Sequence, residues 1–279
     1  TLTLRASAGD EDDAQDFCDP DTLRGLVRKY SDFVEWPIEM SAAFFEGDGS
    51  LARSTGADGV EVVKLNSQRP LWARSKDEIT PEEFAAFYRH LTHDFSAPLE
   101  SVHFKAEGTS EYTALLFIPS ERPFDMFEPS RDRSRIALYV RKVFVMADCA
   151  DLLPTWLRFV RGLVDSQDLP LNVSREVLQH NRSIAQIRKR LVRKTLDALG
   201  VMLAQRRADY ERFWSAFGAV LKEGIVVERD EAQAVATLAL FASSKQEGTS
   251  TLDEYLARMP AGQDVIYVLS GSEVESARR

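Results

Sequence analysis

The sequence is poor in cysteine and has no long apolar run. Its two cysteines, Cys18 and Cys149, are too few for a disulfide framework, and their spacing fits no metal motif. No stretch approaches the roughly 18 consecutive apolar residues that a membrane-spanning helix needs. The first residues also lack the charged and apolar regions of a signal peptide. We therefore expect a cytoplasmic protein without a membrane segment.

The patterns that mark a self-contained enzyme are missing too. The glycines between positions 47 and 59 fit neither a phosphate-binding loop nor a dinucleotide fingerprint, and no nucleophile elbow is present. His90 and His93 have the spacing of a metal pair on a helix, with Asp94 beside them, but no further ligand set is evident. We expect no metal site, no bound nucleotide and no catalytic activity in this chain alone.

The size and charge of the chain are those of a soluble globular protein. It has 279 residues, of which 44% are hydrophobic and 28% are charged, so one large domain or two ordinary ones can form. The net charge of −9 argues against nucleic acid as a main partner.

Alternating strand and helix patterns predict a layered α/β fold up to about residue 200. Strands are predicted at 34–45, 60–65, 102–105, 111–118 and 136–146. Helices are predicted to begin at Pro20, capped by Asp19, and at Pro81, where Thr80 and Glu83 form a capping box. The apolar stretch 152–163 is predicted to be a further helix.

The last part of the sequence predicts a smaller α/β unit. Its helices are expected at 210–221, ended by Gly224, and at 232–241 and 252–259, followed by a strand at 264–269. The whole chain would then be a large αβα sandwich, a helical connector and a smaller αβα domain.

The stretch from 165 to 199 contains an unusual cation. Ser174 and Ser183 are both good N-caps, and a long basic helix follows the second one. Arg175 would lie in the first turn of the helix that Ser174 caps, where the macrodipole disfavours positive charge by roughly 0.3–1 kcal/mol. Arg175 therefore needs an anionic partner, which could be a surface carboxylate such as Asp165 or Asp168, or a phosphate.

The segment Leu169-Pro170-Leu171-Asn172-Val173-Ser174-Arg175-Glu176 resembles the catalytic loop in the middle domain of the heat-shock protein 90 chaperones. The similarity extends over nearly all 279 residues and is bacterial in type. It implies three parts: the end of an N-terminal ATPase domain with its linker (1–35), a large middle α/β domain with the catalytic loop and connector helix (36–207), and a small middle α/β domain (208–279).

The resemblance also implies roles for individual residues. Arg175 would contact the γ-phosphate of ATP held in the separate N-terminal domain, with Gln179 as its companion and Asn172 fixing the loop backbone. ATP with Mg²⁺ would bind only in the full-length protein. That protein would be a homodimer that binds unfolded or partly folded clients and docks its own N-terminal ATPase domain.

Two further features are predicted to be surfaces. The resemblance implies that Trp72, Phe144 and Trp214 contact clients or dock the N-terminal domain, although burial in the core is an equally good interpretation of each. The basic helix 182–194 leaves an alternative open, in which the chain is a non-enzymatic module that binds protein or nucleic acid. The helix has no interleaved aromatic residues, so a solvated or docking face is the better interpretation.

Overall fold

The computed structural model describes residues 19–45, 51, 53–56, 58–92, 94, 96–108, 110–123, 126, 135–170 and 182–269. The helices in these ranges are α1 (Pro20–Tyr30), α2 (Pro81–Thr92), α3 (Arg182–Gln205), α4 (Arg207–Val227), α5 (Ala232–Leu238) and α6 (Leu252–Ala257). The strands are β1 (Glu39–Ser41), β2 (Arg53–Thr55), β3 (Glu61–Lys64), β4 (Glu100–Ala106), β5 (Tyr112–Ile118), β6 (Arg135–Val140), β7 (Val143–Met146), β8 (Arg161–Ser166), β9 (Phe241–Ala242) and β10 (Thr249–Ser250).

A five-stranded sheet in the order β4-β5-β8-β6-β7 forms the middle layer. Its neighbours are antiparallel except for β6 and β8, which run parallel. Leu115 and Phe117 point to the face covered by α2, whereas Leu116 and Ile118 point to the face covered by α3 and α4. Both faces of the sheet are therefore buried, and the predicted αβα layering is confirmed.

Local signals set the first two helix starts where the sequence predicts them. The Asp19 carboxylate accepts a hydrogen bond from the Thr22 amide at 2.7 Å, with Pro20 as the first helical residue of α1. At α2, the Thr80 hydroxyl accepts from the Glu83 amide at 3.2 Å while the Glu83 carboxylate accepts from the Thr80 amide at 2.9 Å. These reciprocal bonds satisfy amides that the first turn leaves without helical partners.

The helix predicted over 152–163 is wrong. The structure has two short 3₁₀ turns, at Ala150–Leu152 and Thr155–Leu157, followed by strand β8. Pro154 cannot donate within a helix and disfavours helical geometry in the residue before it. The predicted helix ran into the first three residues of β8. Because β8 is buried on both faces, its sequence lacks the alternation that identifies a half-buried strand.

The small C-terminal unit also differs from the prediction. Gly224 does not end a helix, because α4 continues to Val227. A Cβ at Gly224 would lie 2.7 Å from Cδ2 of Trp156, so the glycine permits close packing of that indole. The strand predicted over 264–269 is absent: these residues pair with no strand in the described ranges, and Leu269 is 72% exposed. The sheet of this unit is the two-residue ladder of β9 and β10.

The segment between α1 and β1 is held by the side chain of Asn66. The Asn66 amide donates to the carbonyls of Val34 at 3.2 Å and Trp36 at 2.9 Å, and its oxygen accepts from the Ile38 amide at 2.9 Å. These bonds cross position 35, and one apolar core contains residues on both sides of position 207. The three-part division remains a prediction.

No helix in the described part of the chain has the length and apolarity of a membrane span.

Candidate functional site

The predicted site residues Asn172, Arg175 and Gln179 lie in 171–181, outside the described residues. The structure does describe the chain on both sides of this segment. It enters from the end of β8 through residues 167–170, and it continues into α3 at Arg182. We call residues 166–169 the loop root.

The loop root is fixed by hydrogen bonds on the side that faces β5. The amide of Gln167 donates to the carbonyl of Glu111 at 2.9 Å, and the Glu111 amide donates to the Asp168 carboxylate at 2.6 Å. The hydroxyl of Ser166 accepts from the amides of Asp168 and Leu169, both at 3.3 Å. The Leu169 side chain is buried in the main core. The chain therefore enters 171–181 from a well-anchored position.

On its other side the loop root contacts the tight turn between β6 and β7. Both turn residues, Arg141 and Lys142, have positive φ, at 50° and 67°. Asn and Gly are the usual residues of such a hairpin turn, so two long side chains there carry a conformational cost. The amide of Arg141 donates to the Ser166 carbonyl at 2.9 Å, and its Nε donates to the Gln167 carbonyl at 3.1 Å.

Asp165 is the buried carboxylate that joins this turn to the sheet. Its Oδ1 accepts from the backbone amide of Lys142 at 3.0 Å, and its Oδ2 accepts from Nε1 of Trp72 at 2.9 Å. The side chain is 2% exposed. Burial raises the pKa of the Asp165 carboxyl, and the hydrogen bonds from Lys142 and Trp72 oppose that rise. The carboxylate therefore has two donors fixed by the fold.

The cationic turn borders a cavity of about 340 Å³. It is lined by Val34, Glu35, Trp36, Arg141, Lys142 and Gln167. The ammonium of Lys142 lies 2.6 Å from Oε1 of Glu35, and its hydrogen bond lowers the pKa of the Glu35 carboxyl. The segment that follows α1 thus contacts the same turn as the loop root. Lys142 of the turn contacts that segment, and Arg141 of the turn contacts the loop root.

The structure contradicts the prediction that Trp72 is a docking surface. Its side chain is 1% exposed and packs between Phe33 and Tyr139, with ring centroids 4.6 and 4.9 Å away. The indole N–H is used by Asp165. Trp72 therefore belongs to the core behind the loop root.

The other two predicted docking residues are partly buried. Phe144 contacts the Tyr30 ring of α1 edge-on at 5.7 Å. Trp214 packs against the main core, and the Lys222 ammonium lies 5.2 Å from its ring centroid. A Cβ on Gly218 would lie 2.6 Å from Cδ2 of Trp214, so this glycine permits the indole to lie flat along its own helix, α4. Docking by Phe144 and Trp214 remains a prediction.

The basic helix presents cations to solvent on one face. Its exposed basic residues are Arg182, Lys189, Arg190 and Arg193. Of the other two, Arg188 pairs with Glu228 at 3.3 Å, and the Lys194 ammonium lies 6.0 Å from the Phe104 ring centroid. The described residues contain no group of three metal-ligating side chains, and His93 lies outside them.

Reasoning from the sequence missed Asp165 as a site residue, together with the Arg141–Lys142 turn. Asp165 entered only as a surface partner for Arg175, whereas it lies beneath the loop root. One available signal was a carboxylate placed directly after the apolar residues Gly162-Leu163-Val164, at the end of a buried strand. A buried carboxylate needs hydrogen-bond donors, so its position predicts a network. The partners themselves come from distant parts of the chain.

This geometry defines a class of protein: an αβα domain in which the loop root is anchored beside a cationic turn. Comparison with known proteins identifies the family. The family model described as Hsp90 protein matches residues 52–279. The chain belongs to the Hsp90 protein family.

Relatives and a solved structure agree with this assignment. The chain is 44% identical over 281 residues to the chaperone protein HtpG of Mycobacterium leprae, covering 97% of this chain and 42% of that protein. It is 44% identical to HtpG of Bdellovibrio bacteriovorus, covering 98% of this chain and 41% of that protein. The middle domain of a Plasmodium falciparum heat shock protein superposes with a TM-score of 0.67 at 27% identity, covering 75% of this chain and 82% of that chain.

The chain therefore has the fold of an Hsp90 middle domain. It spans about 42% of the length of the HtpG relative from Mycobacterium leprae. The predicted resemblance to the family is confirmed. Family membership does not favour the alternative of a nucleic-acid-binding module.

Proposed function

We propose that this chain is the middle segment of an ATP-dependent chaperone and completes ATP hydrolysis at a site shared with a separate N-terminal domain. The observation that carries the proposal is the loop root, which is held between β5 and the cationic Arg141–Lys142 turn. Such anchoring suits a loop whose next residues must meet a ligand at a defined distance.

Arg175 supplies the chemistry in this proposal. A guanidinium matches phosphate oxygens with parallel N–H donors and stays charged at any physiological pH. Its charge stabilises the negative charge on the γ-phosphoryl oxygens as that group transfers to water. Gln179 is the companion residue on the same loop, and Asn172 orders the loop backbone. All three assignments rest on the family motif.

The nucleotide itself belongs to the other domain. The sequence has no phosphate-binding loop, so ATP and its Mg²⁺ would be held by the N-terminal domain. This chain then contributes a cation to a site whose phosphate cradle lies elsewhere. We place the full-length protein in the cytoplasm, as a homodimer.

The ATPase proposal is tested by separating and rejoining the two parts. We expect the isolated chain to show no ATP hydrolysis above background, and the protein that joins it to its N-terminal domain to hydrolyse ATP measurably. Hydrolysis by the isolated chain at the rate of the joined protein would overturn the assignment of a shared site.

Client binding is the second activity in the proposal, and Trp214 is its test residue. Trp214→Ala in the full-length protein is expected to weaken capture of a chemically unfolded protein about fivefold to tenfold, since aromatic anchors dominate such contacts. Capture is measured as suppression of aggregation over a range of chaperone concentrations. Phe44→Ala is the control, because it removes a ring that is 62% exposed and is not one of the predicted docking residues. Equal capture by wild type and the Trp214→Ala variant would assign Trp214 to the core alone.

A further inference from the structure

The loop root raises the question of which side chain fixes its position against the cationic turn. The backbone amide of Arg141 ties the turn to Ser166, but this bond holds only if the turn keeps its left-handed conformation. Neither Arg141 nor Lys142 favours that conformation, because a Cβ crowds the backbone at positive φ. Another interaction must therefore compensate for the cost.

The carboxylate of Asp165 provides that interaction. Its bond to the Lys142 amide is available only when Lys142 adopts the turn conformation that directs its N–H at the strand end. Its second oxygen holds the indole N–H of Trp72, whose ring is enclosed by Phe33, Phe87 and Tyr139. One buried carboxylate thus joins three elements at the residue immediately before Ser166.

We infer that Asp165 is a positioning residue for the ATPase reaction: it sets the loop root, and through it the segment that carries Arg175. This inference rests on the proposed function. Asp165 touches no reacting atom in this account and acts through the backbone that follows it. The same network also reaches Glu35, because the Lys142 ammonium binds that carboxylate at 2.6 Å. The position of the segment after α1 is therefore linked to the loop root.

Asparagine at position 165 is the sharpest test of this role. An amide of the same shape has one acceptor, whereas the site presents two donors, the Lys142 amide and Trp72 Nε1. In the full-length protein, Asp165→Asn is expected to lower kcat for ATP hydrolysis about tenfold to 10²-fold, the effect of a misplaced catalytic group. KM for ATP is expected to stay within about twofold, because the nucleotide is bound by another domain. Asp197→Asn, the same change at an exposed position of α3, is the control.

A double-variant cycle separates positioning from general damage to the fold. If Asp165 acts through Arg175, adding Asp165→Asn to Arg175→Ala lowers kcat no further, once rates are divided by the fraction of protein whose middle segment is folded, measured by protection of this segment from proteolysis. The same loss in both backgrounds, or a wild-type kcat for Asp165→Asn, would overturn the inference. If Asp165→Asn fails to fold, Trp72→Phe removes one of the two donors and faces the same two outcomes. A wild-type rate for Arg175→Ala alone would instead refute the proposed function, and the inference would fall with it.

Discussion

Replacing Arg175 by alanine in the full-length protein lowers the rate of ATP hydrolysis at saturating ATP by at least about tenfold. An arginine finger can contribute roughly 10³-fold or more to such a rate, so a larger loss is also consistent with the role. The guanidinium charge stabilises the reaction most as the γ-phosphoryl group transfers, because the negative charge on the phosphoryl oxygens then needs a nearby cation. The affinity for ATP is expected to stay within about twofold, because most contacts to the nucleotide lie in the N-terminal domain. Steady-state hydrolysis and equilibrium binding measure the two quantities separately.

A matched arginine variant distinguishes this effect from a loss of general charge. Arg212→Ala removes a 62% exposed guanidinium on α4, and we expect it to change the hydrolysis rate by less than about twofold. An equal loss in both variants would show that the rate follows overall charge rather than a phosphate contact.

Substitution of Gly162 by alanine is expected to have the largest effect on stability. Gly162 has a φ of 143° in β8, between β5 and β6, and a Cβ there would lie 2.2 Å from the Leu115 carbonyl oxygen. Both the backbone angle and the contact are forbidden for alanine, and neighbouring strands on both sides prevent relaxation. We expect the free energy of unfolding to fall by about 4 kcal/mol or more. Urea denaturation followed by circular dichroism measures it.

Gly200 supplies the control for that experiment. It lies within α3, and the nearest atom to an added Cβ would be Cδ2 of Leu238 at 3.8 Å. Alanine is better than glycine in a helix by roughly 0.5–1 kcal/mol, so Gly200→Ala is expected to stabilise the protein slightly. A Gly162→Ala protein as stable as wild type would contradict the close packing of β8 against β5.

Much of the fold was predictable from the sequence because its signals are local. The capping residues of α1 and α2 and the apolar runs of β4, β5 and β6 act over a few positions, and the structure places elements there. The helix predicted over 152–163 overlapped the first three residues of β8, because burial on both faces removes the alternation that identifies a strand. The predicted strand at 264–269 has exposed apolar residues and no partner among the described strands.

The site was predictable only where a motif spans neighbouring residues. The segment from Leu169 to Glu176 carries its resemblance in one continuous run. The network behind it does not: Trp72 and Asp165 are 93 positions apart, and Glu35 and Lys142 are 107 apart. Packing of the segments around Glu35 and Trp72 against the sheet brings these groups together, and no local pattern encodes that packing. The sequence therefore left Trp72 as either a docking residue or a core residue, and the structure shows a buried indole donor.

The central claim is that Arg175 stabilises the transferring phosphoryl group, and a transition-state analogue tests it most directly. The measurement is the affinity of the full-length protein for ADP with aluminium fluoride, compared between wild type and Arg175→Ala, alongside the affinity for ADP alone. The account predicts that the variant loses affinity for the analogue by about the same factor as it loses hydrolysis rate, with ADP binding unchanged. Equal affinity of wild type and variant for the analogue would contradict the claim.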